Sequence, residues 1–279
     1  MRVVHTIKEL RQIISRRAGD IGFVPTMGAL HAGHTSLMAR ARRECDLVVA
    51  SIFVNPLQFG ANEDLARYPR PFDADASKAF DSGVDVLFAP DALEMYPQPM
   101  QTSVTVGAMG TILEGASRPG HFDGMATVVA KLLSIVGPCR AYFGEKDFQQ
   151  LALINRLVDD LDMPVDVVGC AIVRDTDGLA LSSRNVFLSA RERSAALCLS
   201  RALAAGSRAS NAIGSGPSRV EEAMAAVLVA EPLVRVDYAV VVDALTLARA
   251  SGDVWPSSAR ALIAAQIGTV RLIDNAAVG

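Results

Sequence analysis

The fold is decided by the segment Ile21-Gly22-Phe23-Val24-Pro25-Thr26-Met27-Gly28-Ala29-Leu30-His31-Ala32-Gly33-His34. Its apolar first part, residues 21–25, predicts a short buried strand, and a helix is expected from about Thr35 to Arg43. Gly28 and Gly33 in the turn between them allow the backbone to approach a ligand closely. Ligands of open α/β sheets bind where a strand passes into a helix, so the turn is a candidate phosphate site.

Strands and helices alternate along the first part of the chain. An almost unbroken apolar run at 47–54 is typical of a parallel strand covered on both faces, and further strands are expected at 84–88, 140–143 and 165–170. Thr6 with Glu9 forms a capping box for the first helix, and Asp73 is expected to cap another. This alternation predicts an α/β fold with a Rossmann-like parallel sheet in an N-terminal domain, residues 1–173.

The pattern changes after Val173. The residues at 175–178 predict a tight turn between short strands, and Ser189 with Glu192 is a second capping box that opens a long helix. Pro217 lies near the start of another helix. Strands at 234–242 and 261–273, the second broken by Gly268, predict an antiparallel sheet. We therefore expect residues 174–279 to form a smaller α+β domain.

Composition limits the class of function. Of 279 residues, 51% are hydrophobic and 20% charged, and the net charge of -3 argues against a nucleic-acid partner. The four cysteines show no C-x-x-C spacing, so neither a disulfide nor a structural zinc site is expected. The N-terminal residues are too charged for a signal peptide, and no apolar run approaches the ~20 residues that span a bilayer. We expect a cytoplasmic protein without a membrane partner.

Two histidines add hydrogen-bond donors to the turn and to the helix N–H groups that follow it. The chain contains neither a P-loop motif nor a G-x-G-x-x-G motif after the first strand. His31 and His34 offer imidazole donors that can stabilise phosphate charge. An isolated H-x-G-H segment is equally compatible with histidines that only cap a helix. Metal binding by this pair is not expected, because the other histidines, His5 and His121, are distant in the sequence.

Polar residues also follow other predicted strands. Each group alone is typical of a loop or a helix cap, and it is their joint presence at strand ends that favours a site. The groups are Asn55-Pro56-Leu57-Gln58-Phe59, Gly144-Glu145-Lys146-Asp147 with Gln149-Gln150, and Ser182-Ser183-Arg184-Asn185.

Taken in order, these segments closely resemble the pantoate–β-alanine ligase family over nearly the whole chain. The H-x-G-H and Ser-Ser-Arg segments also resemble the ATP-binding motifs of the wider nucleotidyltransferase superfamily. The matching segments are 25–34, 53–59, Arg118-Pro119-Gly120-His121-Phe122, 143–147 and Asp177-Gly178-Leu179-Ala180-Leu181-Ser182-Ser183-Arg184-Asn185.

The resemblance implies a reaction in two steps. The carboxylate of pantoate attacks the α-phosphorus of Mg-ATP to give pantoyl adenylate and pyrophosphate, and β-alanine then displaces AMP to give pantothenate. ATP is a substrate, and Mg²⁺ is bound by the ATP phosphates. The resemblance also implies a homodimer formed by the N-terminal domains, and a smaller domain that closes over the active site.

The resemblance assigns roles residue by residue. His34 matches the residue assigned as proton donor in the family, and we interpret it as a stabiliser of phosphate charge; the other expected catalytic residues are His31, Lys146, Ser182, Ser183 and Arg184. Gln58 and Gln150 match residues that hydrogen-bond pantoate, with Gln58 also beside β-alanine, and Thr127-Val128-Val129 is a candidate pocket for the methyl groups of pantoate. The expected ATP contacts are Met27, Gly28, Ala29, Leu30, His31, Ala32, Gly33, His34, Gly144, Glu145, Lys146, Asp147, Val173, Leu181, Ser182, Ser183 and Arg184.

Two departures from the family pattern stand out. Leu181 replaces a common methionine, a swap of similar volume. Ala74 interrupts an acidic run at Asp73 and Asp75 that holds Mg²⁺ in some members, so no protein metal ligand is carried over. The alternatives are another nucleotidyltransferase acting on a different small substrate, and a nucleotide-binding protein without turnover, which an assay for AMP formation would separate.

Overall fold

The computed structural model describes residues 1–16, 18–60 and 65–279. Two compact units account for the chain. The first comprises Met1–Glu145 and Leu153–Ala171, and the second comprises Lys146–Ala152 and Ile172–Gly279. Among the helices in the described ranges, none is both long and apolar enough to cross a membrane.

The first unit contains a six-stranded sheet in the order β1-β4-β3-β2-β5-β6, with every neighbouring pair parallel. This arrangement confirms the predicted Rossmann-like α/β fold. The first strand escaped prediction, because three residues are too few to show a period. The strands are β1 (Arg2–Val4), β2 (Ile21–Thr26), β3 (Leu47–Ile52), β4 (Val86–Phe88), β5 (Cys139–Gly144) and β6 (Val165–Cys170).

Two of the predicted helices before residue 172 begin differently from the expectation. The second begins at Ala32 rather than Thr35 because His31 is its N-cap. The third begins at Phe72 after Pro71, so Asp73 lies inside its first turn and is not the cap. The predicted box of Thr6 and Glu9 is confirmed. The helices are α1 (Ile7–Ile14), α2 (Ala32–Glu44), α3 (Phe72–Asp81), α4 (Ala92–Met95), α5 (Glu114–Ser117), α6 (His121–Val136) and α7 (Phe148–Asp160).

The second unit has a three-stranded antiparallel sheet, β7 (Val234–Asp243), β8 (Ala259–Ile267) and β9 (Val270–Val278), in sequential order. Helices α8 (Ala190–Ser210) and α9 (Pro217–Val229) share an apolar core with it. This is the expected smaller α+β fold, and the capping box of Ser189 and Glu192 is confirmed. The short strands expected around 175–178 are reduced to a single bridge between Arg174 and Ala180.

Two features of the first unit bring loops to one edge of its sheet. In the β2–β3 register Thr26 lies opposite Ile52, so the loops that follow both strands start side by side. Helix α6 also packs closely against the loop that follows β3. A Cβ atom on Gly124 would lie only 1.9 Å from the carbonyl oxygen of Leu57. Only glycine permits this approach.

Candidate active site

The turn after β2 has an unusual backbone. Gly28 has φ 83° and Ala29 has φ 51°, so two consecutive residues adopt left-handed conformations. Glycine does so readily, whereas alanine pays about 1 kcal/mol or more because its Cβ crowds the following carbonyl oxygen. The hydroxyl of Thr26, which donates to the Ser51 carbonyl at 2.7 Å, accepts from Gly28 N–H at 3.2 Å. The conformation of Ala29 needs further support.

Helix α3 supplies that support. The carboxylate of Asp75, only 1% exposed, accepts from Ala29 N–H and from Leu30 N–H, each at 2.7 Å and each with a different oxygen. The ammonium of Lys78, one turn further, donates to the Leu30 carbonyl at 2.6 Å. Hydrogen bonds to an ionised group are about twice as strong as neutral ones. The backbone at 28–30 is therefore held by two opposite charges on one helix.

The two histidines form a reciprocal cap at the start of α2. Gly33 N–H donates to His31 Nδ1 at 3.1 Å, and His31 N–H donates to His34 Nδ1 at 3.3 Å. A backbone N–H can only donate, so in the neutral rings both protons sit on Nε2. The ring centroids are 4.1 Å apart. Each imidazole thus accepts a hydrogen bond from the helix backbone at Nδ1 and carries its proton on Nε2. Because capping uses only Nδ1, a histidine that caps the helix can also donate to a ligand through Nε2.

Gln58, 6% exposed, is oriented by the fully buried Asn55. Asn55 Nδ2 donates to the Gly124 carbonyl at 3.1 Å and to Gln58 Oε1 at 3.0 Å, while its Oδ1 accepts from Leu57 N–H at 3.3 Å. The backbone partners leave one orientation for the Asn55 amide. Gln58 Oε1 is therefore engaged by Asn55, and the NH₂ group is the part of the Gln58 amide left to donate to a ligand.

Two further side chains complete this cluster. Tyr96 O–H donates to Asn55 Oδ1 at 2.8 Å, and burial raises the pKa of Tyr96 to about 12, so the phenol keeps its proton. His121 Nδ1 lies 2.8 Å from the Gln58 carbonyl, which can only accept, so Nδ1 carries the proton. Its Nε2 then accepts from the Arg118 guanidinium at 2.9 Å. The Arg-Pro-Gly-His motif thus holds the backbone of Gln58.

The second unit contains the other expected phosphate contacts. The Lys146 side chain is 17% exposed, with Nζ 4.0 Å from Asp147 Oδ1. Leu181 N–H donates to the Val173 carbonyl at 3.0 Å, which closes a turn, and Ser182 caps the short helical segment Ser183–Phe187 through a 3.2 Å bond from Arg184 N–H. Two of the cationic side chains in this unit, Lys146 and Arg184, therefore lie on short helical segments, and the segment that carries Arg184 is capped by Ser182.

The expected site residues fall into two groups. The first unit brings together the turn and Gln58 at the carboxyl edge of its sheet, and the second unit contains Gln150 on α7. Val128 and Val129 are buried, and the Thr127 hydroxyl accepts from Val104 N–H at 2.9 Å, so the pocket for methyl groups remains a prediction. The first unit holds Met27, Gly28, Ala29, Leu30, His31, Ala32, Gly33, His34, Gln58, Gly144 and Glu145, and the second holds Lys146, Asp147, Gln150, Val173, Leu181, Ser182, Ser183 and Arg184.

The sequence alone assigned no positioning role to Asp75, Asn55 or Tyr96. In the sequence, Asp75 is noticeable only as part of an interrupted acidic run. No pattern in the neighbouring residues indicates that its carboxylate accepts from Ala29 N–H, 46 residues earlier in the chain. Asn55 lies in the same motif as Gln58 and directly follows a predicted strand. Its position after a strand end is therefore a signal that could have identified it. Tyr96 lies outside every motif.

The grouping of acidic and histidine side chains bears on metal binding, and the burial of the cysteines bears on thiol chemistry. Within the part of the chain that the structure describes, no three His, Cys, Asp or Glu side chains are grouped so as to hold a metal ion. All four cysteines are free and buried. Burial raises the pKa of Cys139 to about 12 and that of Cys198 to about 11, so these thiols remain protonated near neutral pH.

Comparison with known proteins gives a consistent result over the whole chain. The sequence profile described as pantoate-beta-alanine ligase matches residues 2–277. The pantothenate synthetase of Sinorhizobium medicae is 52% identical over 99% of this chain and 95% of the relative, and that of Agrobacterium fabrum is 51% identical over 100% and 96%.

Solved structures agree with the sequence relatives. The pantothenate synthetase of Thermus thermophilus superposes with a TM-score of 0.93 at 49% identity, covering 99% of both chains. The pantoate-beta-alanine ligase of Francisella tularensis, solved as a complex with beta-gamma ATP and beta-alanine, gives a TM-score of 0.79 at 35% identity over 99% of this chain and 97% of that one. With the profile match spanning nearly every residue, this chain belongs to the pantoate–β-alanine ligase family.

Proposed function

We propose that the chain condenses pantoate with β-alanine at the expense of ATP, through an enzyme-bound pantoyl adenylate, and releases AMP and pyrophosphate. Family membership supports the overall reaction, and the Francisella tularensis relative was solved with beta-gamma ATP and β-alanine. Within this chain, the observation that carries the proposal is the turn at 28–34, where a charge-held backbone leads into two histidines with Nε2–H donors.

In the first step, a carboxylate oxygen of pantoate bonds to the α-phosphorus of ATP, and the bond from that phosphorus to the bridging oxygen breaks. Negative charge develops on the departing pyrophosphate. His31 and His34 are suited to donate Nε2–H bonds to phosphate oxygens, and Lys146 and Arg184 supply positive charge. Donors fixed before the reaction are effective because they need no reorganisation as charge develops. Mg²⁺ enters as part of the Mg-ATP substrate.

In the second step, the β-alanine amine attacks the acyl carbon of the adenylate, and the bond to the phosphate oxygen breaks to release AMP. The amine loses a proton as the amide forms. Gln58 supports both steps, because its NH₂ group donates to pantoate and its backbone is held by His121. Gln150 is assigned to pantoate alone. Catalysis comes mainly from positioning, since no covalent bond to the protein is needed.

The remaining assignments complete the proposal. Residues 1–173 form the domain that binds pantoate and most of ATP, and residues 174–279 form the smaller α+β domain that adds further ATP contacts. The ATP contacts are those expected from the sequence, including Gly144, Val173 and Ser182–Ser183. We further propose that the enzyme acts in the cytoplasm as a homodimer formed by the N-terminal domains.

Isotope exchange tests the reaction class directly. Labelled pyrophosphate should exchange into ATP only when pantoate is present, and β-alanine should not be needed, because only the first step returns pyrophosphate to ATP. Exchange that is supported by other hydroxy acids but not by pantoate would overturn the substrate assignment. ATP binding without any AMP formation would return the chain to a non-catalytic nucleotide-binding protein.

Substitution of the phosphate donors tests the turn. His34→Ala and Lys146→Ala should each slow exchange by at least ~100-fold, the usual loss for one preorganised donor. His34→Asn retains an oxygen that can accept from His31 N–H but lacks the Nε2 donor, so it should be as slow as His34→Ala with a smaller loss in melting temperature. His5→Ala, at an exposed histidine outside the turn, is the matched control. Near-normal exchange in folded His34→Asn would restore the capping interpretation alone.

The Gln58 orientation gives a second, independent test. Gln58→Ala leaves polar groups of pantoate unpaired at ~1–3 kcal/mol, which raises the pantoate KM about ten- to hundredfold. Gln58→Glu can still accept from Asn55 but turns an anionic oxygen toward the ligand, so it should raise the KM further. Gln150→Ala should affect mainly the first step. Calorimetric titration of each variant should show ATP affinity nearly unchanged, and a parallel loss of ATP affinity would contradict the two-site assignment.

A further inference from the structure

Two adjacent residues of the last strand have no role in the reaction as proposed above. Asp274 and Asn275 on β9 are each 3% exposed. Both residue types are depleted in strands, and a buried polar side chain is stable only when it is hydrogen-bonded. Their partners explain why they are there.

Asn275 holds the segment that contains Lys146. Its Nδ2 donates to the Lys146 carbonyl at 2.9 Å, and its Oδ1 accepts from Arg260 Nε at 2.7 Å. The Lys146 carbonyl can only accept, which fixes the orientation of the Asn275 amide. The Arg260 guanidinium also stacks over the Phe148 ring at 4.2 Å. Residues 146 and 148 are thus both attached to the β8–β9 hairpin.

Asp274 holds the turn that precedes the Ser-Ser-Arg segment. Its two oxygens accept from the Arg174 guanidinium at 2.7 and 2.8 Å, and Arg174 also donates to the Gly178 carbonyl at 3.1 Å. The Asn275 N–H donates to Asp274 Oδ1 at 2.8 Å, so the two attachments share one stretch of strand.

We propose that Asp274 and Asn275 are a positioning pair that sets the spacing between Lys146 and the segment Ser182–Arg184. Neither residue is among those assigned to a substrate. Each acts through the backbone that carries a phosphate-binding side chain, and a rigid strand keeps the two backbones in register. This inference rests on the proposed function, because it requires Lys146 to act on the phosphates. Displacing a catalytic group by about 1 Å can slow a reaction about 100-fold.

The test is a double-mutant cycle read by pantoate-dependent pyrophosphate exchange. Asn275→Asp replaces the Nδ2 donor by an oxygen that opposes the Lys146 carbonyl, so kcat should fall about tenfold or more while the KM for ATP changes less than about twofold. In the Lys146→Ala background, the same substitution should have almost no further effect, because residues that act through one another are not additive. Asp237→Asn, which breaks an ion pair with Arg271 on the same sheet, is the matched control.

A second variant guards against misfolding. Arg260→Gln removes the guanidinium that donates to Asn275 Oδ1. It should also lower kcat in the wild-type background and have almost no further effect on kcat in the Lys146→Ala background. The inference is overturned if Lys146→Ala is slow but Asn275→Asp and Arg260→Gln leave kcat unchanged, or if they lower kcat by equal factors in both backgrounds. If Lys146→Ala itself exchanges at the normal rate, the proposed role of Lys146 fails first, and the inference fails with it.

Discussion

The carboxylate of Asp75 is the constraint on which the turn at residues 28–34 depends. Its two oxygens receive Ala29 N–H and Leu30 N–H at 2.7 Å each, and they hold an alanine in a left-handed conformation that an isolated chain would avoid. Lys78, one turn along the same helix, donates to the Leu30 carbonyl at 2.6 Å. Because the start of α2 follows directly, the positions of His31 and His34 depend on where α3 packs. A loop that is shaped by the side chains of a neighbouring helix needs no ligand to adopt its form, which is what preorganisation requires.

A second theme is that backbone groups decide how the polar side chains face. A backbone N–H only donates and a carbonyl only accepts, so each contact with them removes one orientation of an imidazole or an amide. Gly33 N–H sets the tautomer of His31, and the carbonyls of Gly124 and Lys146 orient Asn55 and Asn275. The fold therefore determines which atom of each imidazole or amide donates a hydrogen bond and which atom accepts one. This explains why Gln58 presents a donor, although a glutamine amide on its own offers both a donor and an acceptor.

The sequence predicted most of the fold, because its strands are apolar runs and its helices have capping signals. Strand β6 was expected at 165–170 and lies at Val165–Cys170, whereas the three residues of β1 carried no detectable pattern. Site residues on a motif, such as His34 and Gln58, were accessible from sequence and resemblance. The residues that hold them were not: Asp75 and Asn275 act over 46 and 129 residues, and such contacts are created by packing rather than by local spacing. For Asn275, the sequence signal was the occurrence of an Asp-Asn pair inside a strand.

The most direct test of this account is calorimetric titration of Asp75→Asn with ATP, in Mg²⁺ and again with Mg²⁺ chelated. An amide has one acceptor oxygen, so one of the two turn N–H groups would face a donor. Hydrogen bonds to charged groups contribute about 1.5–3 kcal/mol, so the Kd should rise about ten- to hundredfold in both titrations, with the melting transition still cooperative. Asp73→Asn, an exposed carboxylate on the same helix, should bind ATP normally. An unchanged Kd in Asp75→Asn, or a loss that disappears when Mg²⁺ is chelated, would contradict the claim that Asp75 acts by shaping the turn.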